Sequence, residues 1–232
     1  MEAVIFDWGG TLSVWADVDI EDMWALAARH IAPDRADELV ARLVEVENRA
    51  WQRTRTDCRS FRLAELLKEA SDAVGADVAE AILEEAETHH LGTWTPHVRH
   101  QPDARSTLEE LRSMGLSIGL LSNTHWPRHF HEQFLERDGL ADLIDVRFYT
   151  SDMEYMKPDQ RAFDAVTGAL GVTDAVFVGD RLYDDVFGAQ RAGMRAVWVR
   201  NQGTPDHQVR PDGIIDRLSE LPALVTKLTP VS

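Results

Sequence analysis

AVIFDWGGT, residues 3–11, runs through four apolar residues to Asp7 and then turns at Gly9 and Gly10. A short unbroken apolar run with β-branched residues reads as a strand buried on both faces, the habit of parallel sheets. The pattern recurs downstream. LSIGLLS (116–122), LIDVRFYT (143–150), AVFVGD (175–180) and AVWVR (196–200) each read as a strand. Helical segments lie between them. One opens at Pro102-Asp103 and closes at Met114-Gly115, another starts at Pro127 and ends near Gly139, and Asp159–Leu170 and Asp184–Ala192 are stopped by Gly171 and Gly193. This alternation predicts an α/β fold: a three-layer, Rossmann-like core whose parallel sheet is covered by helices on both faces.

The segment after the first strand is different. Residues 17–91 carry helical periodicity with no convincing strand, as in Leu39, Val40, Leu43, Val46, Ala50 and Trp51. Helices are expected at 19–31, from Pro33 onward, at 59–73 and at 77–90, with Gly75 and Gly92 as punctuation. About 75 residues is far too long for an ordinary crossover. The expectation is an inserted all-helical cap at 15–92 on a core of residues 1–14 and 93–232, with 201–213 a loop.

Composition narrows the function. Across 232 residues, Lys+Arg 24 against Asp+Glu 40 gives a net charge of −16, which opposes nucleic acid and anionic membranes. The single Cys58 excludes an intramolecular disulfide and any multi-cysteine metal site, and it fits a reducing compartment. No apolar run approaches the ~18 residues of a membrane-spanning helix. The apolar start at Ala3–Phe6 lacks the basic flank of a signal peptide. The expectation is a cytoplasmic protein with neither nucleic-acid nor membrane partners; nothing in the sequence speaks to its oligomeric state.

In an open parallel sheet, ligands collect at the carboxyl ends of the strands. Those ends carry Asp7, Ser122-Asn123, Tyr149-Thr150 and Gly179-Asp180, followed by Asp184 and Asp185, and Lys157 precedes the helix after the third strand. Carboxylates crowded at one edge repel unless something offsets them. A hard divalent cation with oxygen ligands does so, and Mg²⁺, which takes few carboxylates and shares a substrate phosphate, fits best.

Four segments, FDWGGTL (6–12), LLSNT (120–124), MKPD (156–159) and VGDRLYDDV (178–186), resemble the ordered motifs of the haloacid-dehalogenase (HAD) superfamily. The similarity spans essentially the whole chain, inserted cap included. It implies hydrolysis of a small phosphorylated metabolite with Mg²⁺, through an aspartyl-phosphate on Asp7. It further implies that Ser122 and Asn123 hold the phosphoryl group and that Lys157 neutralises charge. Asp7, the Gly9 carbonyl, Asp180 and Asp185 would hold the metal, with Asp184 beside the matching position.

One position departs from the phosphatase pattern: Gly9 stands where a second aspartate usually serves as general acid, a role that contributes ~10²–10⁴ in rate. A phosphatase with glycine here needs its leaving-group proton from water, substrate or another residue, and His125 is the nearest candidate in sequence. A phosphonoacetaldehyde-hydrolase-like enzyme would need a Schiff-base lysine, for which Lys68 is the one available. A 2-haloacid dehalogenase would need no metal, and a non-catalytic phosphate-binding protein would need no nucleophile. The nine histidines read as solvated rather than as a zinc site, and Trp15, Trp24 and Trp51 as packing residues of the cap, with Trp15 or Trp24 able to line the substrate's organic part.

Overall fold

Strand β1, Ala3–Phe6, is buried throughout and forms the middle of the sheet. The structure is a computed structural model describing residues 1–201 and 203–228. Strands β2 (Ser117–Ser122), β3 (Val146–Tyr149), β4 (Ala175–Gly179), β5 (Arg195–Val199) and β6 (Gly213–Ile215) complete a six-stranded sheet in the order β3-β2-β1-β4-β5-β6. Every pairing is parallel, with Ile5 aligned to Gly119 on one side and Phe177 on the other. The chain first builds outward from β1 through β2 and β3, then returns to place β4 on the opposite side. The order therefore reverses between β1 and β4, where such sheets open a crevice.

Strand residues alternate between two cores, as a period of two requires. Val4, Phe6, Leu120, Val178 and Val197 face one layer, built from α5 (Ala104–Ser113), α6 (Arg128–Arg137) and α9 (Leu221–Leu228). Ala3, Ile5, Leu121, Phe177 and Ala196 face the other, with α7 (Gln160–Leu170) and α8 (Gly188–Arg191). The expected three-layer α/β architecture is present.

Between β1 and α5 the chain forms four helices that pack on one another: α1 (Ile20–Ile31), α2 (Ala36–Asp57), α3 (Leu63–Ala73) and α4 (Glu80–Trp94). Asp19 caps α1 by accepting from the Glu21 amide at 2.9 Å. The fully buried Trp24 stacks on His90 at 3.7 Å and donates its indole N–H to Glu47 at 2.9 Å, tying α1, α4 and α2 together.

Several boundaries differ from the sequence reading. Residues 59–62 are not helical; they run along the sheet-bearing part of the chain, where the Ser60 amide donates to the Glu154 carbonyl at 3.1 Å and the Met156 amide to the Cys58 carbonyl at 2.9 Å. The expected loop at 201–213 gives way to β6 at its end, and α9 follows; both are short and flanked by polar residues, which hid their periodicity. The helix expected at Asp184–Ala192 begins as a wider π-helical turn over Leu182–Phe187 before α8. Among the described residues no helix is long and apolar enough to cross a membrane.

Candidate active site

Asp7 follows β1 and Asp180 follows β4, so the two carboxylates flank the point where strand order reverses. The Asp7 amide donates to the Val178 carbonyl at 2.9 Å, which continues the β1–β4 pairing up to Asp7. Beyond it the chain closes a tight turn, with the Thr11 and Ser13 amides both donating to the Trp8 carbonyl at 3.3 and 2.8 Å. Gly10 adopts φ 79°, in the left-handed region that glycine occupies without strain.

Lys157 reaches the same place from the segment after β3. Its ammonium donates to Asp7 Oδ1 and to Asp185 Oδ1, each at 2.7 Å, and lies 5.0 Å from the Phe177 ring centroid. The other Asp185 oxygen accepts from the Arg181 amide at 2.8 Å, within the π-helical turn. Gly179 makes room for this arrangement, since a Cβ there would collide with the Asp185 side chain.

Three carboxylates share the crevice: one oxygen from each of Asp7, Asp180 and Asp185 falls within a 4.8 Å cluster. Asp180 is fully buried; its Oδ2 accepts from the Trp15 indole N–H at 2.8 Å and from the Asn201 amide at 3.3 Å, while its Oδ1 has no protein partner. An orphaned buried carboxylate oxygen beside two further carboxylates fits a hard divalent cation, the group most able to satisfy it. Asp184 stays outside the cluster and is only half-buried.

The electrostatics follow from burial. Burial, reinforced by Asp185 and Asp180 and opposed by Lys157, pushes Asp7 up to about 7. Burial and the charge of Asp185 push Asp180 up to about 6, against the Trp15 hydrogen bond and Arg181; Asp184 rises to about 6 for the same two reasons. Burial works against the Lys157 ammonium, but Asp185 and Asp7 outweigh it and hold its pKa above the ordinary lysine range. The site is an under-neutralised cluster: one fixed cation faces three acids.

Ser122 ends β2 and is buried at the crevice. Asn123, next to it, uses both ends of its amide on one neighbour: Nδ2 donates to the Lys157 carbonyl at 2.9 Å and Oδ1 accepts from the Lys157 amide at 3.0 Å. It thereby fixes the backbone that carries the ammonium. Gly9 lies in the turn between Asp7 and Thr11, under the Trp15 ring.

Other expectations need correcting. His125 is not on a solvated loop. It is buried between Phe61, stacked at 5.6 Å, and Trp51, and neither ring nitrogen has a hydrogen-bond partner. Burial lowers it to about 3, so at pH 7 it is the neutral imidazole and not the more acidic imidazolium. His90 and His131 are buried as well, each lowered to about 3, chiefly by burial. His90 is held as a neutral tautomer: its Nε2 accepts from the Trp94 indole at 3.2 Å, so Nδ1 carries the proton to the Met23 carbonyl at 3.2 Å. Aromatic neighbours supplied by distant segments, invisible as sequence spacing, take these rings out of water. Lys68 is exposed and bonded to Asp72 on its own helix at 2.5 Å, away from the carboxylate cluster's contacts. Trp15 is the residue that sequence reasoning missed: its partner Asp180 is 165 positions away.

The model for haloacid dehalogenase-like hydrolases matches residues 1–193. The chain is 40% identical over 125 residues to Phosphatase MT3486 of Mycobacterium tuberculosis, covering 53% of this chain and 55% of that one. It is 31% identical over 162 residues to the glyceraldehyde 3-phosphate phosphatase of Methanopyrus kandleri, covering 67% and 69%. The chain thus spans little more than half the length of the first relative and about two thirds of the second. Among solved structures, a 2-haloacid dehalogenase from Pseudomonas syringae superposes with a TM-score of 0.73 at 28% identity, covering 99% of this chain and 100% of that one. The match over residues 1–193 makes this chain a member of the haloacid dehalogenase-like hydrolase family.

Proposed function

We propose that the protein hydrolyses a small phosphate monoester with Mg²⁺, through a phosphoryl group carried on Asp7. The observation behind this reading is the ammonium of Lys157 placed 2.7 Å from both Asp7 and Asp185, beside an Asp180 oxygen with no protein partner. Asp7, Asp180 and Asp185, with the carbonyl of Gly9, would hold the cation, and its positive charge would offset that of the substrate phosphate.

In this reading the Asp7 carboxylate attacks phosphorus, the P–O bond to the alcohol breaks, and the alkoxide takes a proton as it leaves. Lys157 favours the ionised Asp7 that attack requires and neutralises charge that builds on the phosphoryl oxygens. Ser122 and Asn123 border the phosphoryl group, the Asn123 amide also bracing Lys157. Gly9 supplies no proton, and His125, neutral at pH 7, is no imidazolium acid, so the leaving-group proton comes from water or from the substrate. Water then cleaves the acyl phosphate, releasing inorganic phosphate and restoring Asp7; the intermediate divides one difficult displacement into two. Residues 15–92 act as the cap that closes over the crevice and keeps bulk water from it.

Phosphate release from a panel of small phosphomonoesters, with Mg²⁺ and with a chelator, tests the reading. Release that needs both Mg²⁺ and Asp7 supports it; a silent panel with tight phosphate-ligand binding would favour a binding protein instead. The likeness to the Pseudomonas syringae dehalogenase favours a second reading, halide displacement from a 2-haloacid, which chloride release in the presence of chelator would reveal.

A further inference from the structure

The chain leaves the nucleophile turn beside the segment that returns from the four helices, with Ser13 and His100 bridged. The Val14 amide donates to the Arg99 carbonyl at 2.9 Å and the Gln101 amide to the Leu12 carbonyl at 2.8 Å, so outgoing and returning linkers are paired. Trp15 is the next residue, and its indole folds back over the turn. Its Cη2 lies 3.5 Å from where a Gly9 Cβ would stand, and the Arg181 guanidinium lies 5.1 Å from its ring centroid. At 48% exposure it is not held by core packing. Its specific bond is the 2.8 Å donation to Asp180 Oδ2, and a Cβ at Gly10 would collide with both members of that bond. The contact exists because position 10 has no side chain.

Two donors therefore occupy one Asp180 oxygen, Trp15 Nε1 and Asn201 Nδ2, while the other oxygen is buried and free. Carboxylates that ligate metals are themselves oriented by hydrogen bonds from a surrounding layer of residues, and losing such a donor typically costs 10–100-fold in metal affinity. We propose that Trp15 is a positioning residue for the divalent cation: it commits Oδ2 of Asp180, leaves Oδ1 as the ligand, and makes cation affinity depend on the linker that joins the sheet to the four helices. The inference rests on the cation of the proposed function being part of the site. Coupling of this kind is reciprocal, so the cation steadies the linker as the linker steadies the cation.

Calorimetric titration of Mg²⁺ into the substrate-free protein tests it. Trp15→Phe keeps an aromatic side chain at the turn and removes the N–H together with the outer part of the indole, and circular dichroism checks that the fold is retained. Trp15→Phe and Trp15→Ala should both weaken Mg²⁺ by about 10–100-fold. Affinity of Trp15→Phe within about twofold of the parent, with or without a loss in Trp15→Ala, would overturn the proposal, because ring packing alone would then account for the residue. Amide exchange of residues 12–16 gives the second readout: Mg²⁺ should slow it in the parent and not in Trp15→Phe, and an unchanged parent would overturn the link to the linker. A parent that binds no divalent cation would instead remove the metal from the proposed function, an outcome distinct from equal binding by parent and variant.

Discussion

Nζ of Lys157 stands 2.7 Å from Oδ1 of Asp7, although 150 positions separate the two residues. Both are buried, and the same ammonium is shared with Asp185. One cation serves two acids, with a third close by. A cluster so short of positive charge favours protons in the folded protein, and that excess of negative charge sets the first prediction.

Asp7→Asn should abolish phosphate release while stabilising the protein at alkaline pH. Loss of a nucleophile is felt on a scale of about 10⁴-fold or more. The stability effect has a definite sign. Asp7 titrates at about 7 when folded against 3.8 as an ordinary aspartate. The folded state therefore binds the proton more tightly, and its penalty grows as pH rises from 3.8 to about 7. Melting in chelator should show Asp7→Asn gaining over the parent at about pH 8 and not at about pH 4. The reverse trend would mean that Lys157 fully neutralises Asp7.

His131 should make the protein acid-sensitive. Its ring stacks on Tyr149 at 4.6 Å, its Nε2 meets the Thr124 hydroxyl at 3.1 Å, and burial lowers it from 6.5 to about 3. The unfolded chain takes up the proton first, so the contribution of this residue is complete above 6.5 and is lost progressively as pH falls toward 3. His131→Phe keeps the stack and should narrow the difference between denaturant midpoints measured at about pH 7 and pH 4.5. Titration of the site carboxylates is common to both proteins and cancels in that comparison. An equal difference in both would sink the assignment.

Restoring the missing acid should fail unless Trp15 is also changed. A Cβ at Gly9 already meets the indole at 3.5 Å, so a carboxyl beyond it competes with the ring for space. At saturating Mg²⁺, Gly9→Asp alone should give no acceleration. Gly9→Asp with Trp15→Ala should speed alkyl esters, whose leaving groups need a proton, by up to ~10² while changing aryl esters little. Equal acceleration in the single and double variants would show that the ring leaves room.

The two glycines of the turn should respond differently to alanine. At Gly10, φ 79° and collisions with Trp15 and Asp180 predict a loss of about 1–3 kcal/mol in thermal unfolding. At Gly9 a methyl group finds ordinary van der Waals contact, and Gly9→Ala should melt close to the parent. Matching melting shifts would contradict the geometry of the turn.

The strands were legible because they are short apolar runs ended by Asp7, Ser122 and Asp180, which local composition declares. Their convergence followed from parallel topology alone. β6 was not legible: three residues, Gly213–Ile215, are too few to carry a period. The burial of His125 and His131 was hidden because Phe61, Trp51 and Tyr149, which cover the two rings, arrive from elsewhere in the chain. Asn123 showed its chemistry in the sequence but not its use, since bracing Lys157 depends on two loops meeting. Trp15 read as packing because indoles pack by default.

Residues 58–63 are fastened to the loops after β2 and β3 by main-chain bonds, Ser60 to Glu154, Met156 to Cys58 and the Leu63 amide to the His125 carbonyl at 2.9 Å, and by side chains, with Arg62 donating to the Ser151 carbonyl at 2.9 Å and Arg59 paired with Glu154 at 3.1 Å. The main-chain part of this latch is indifferent to side-chain identity, so substitutions elsewhere on the four helices leave it in place. Under the proposed hydrolysis, opening this edge requires several hydrogen bonds to part together, and turnover would then follow the frequency of unlatching rather than the speed of bond cleavage.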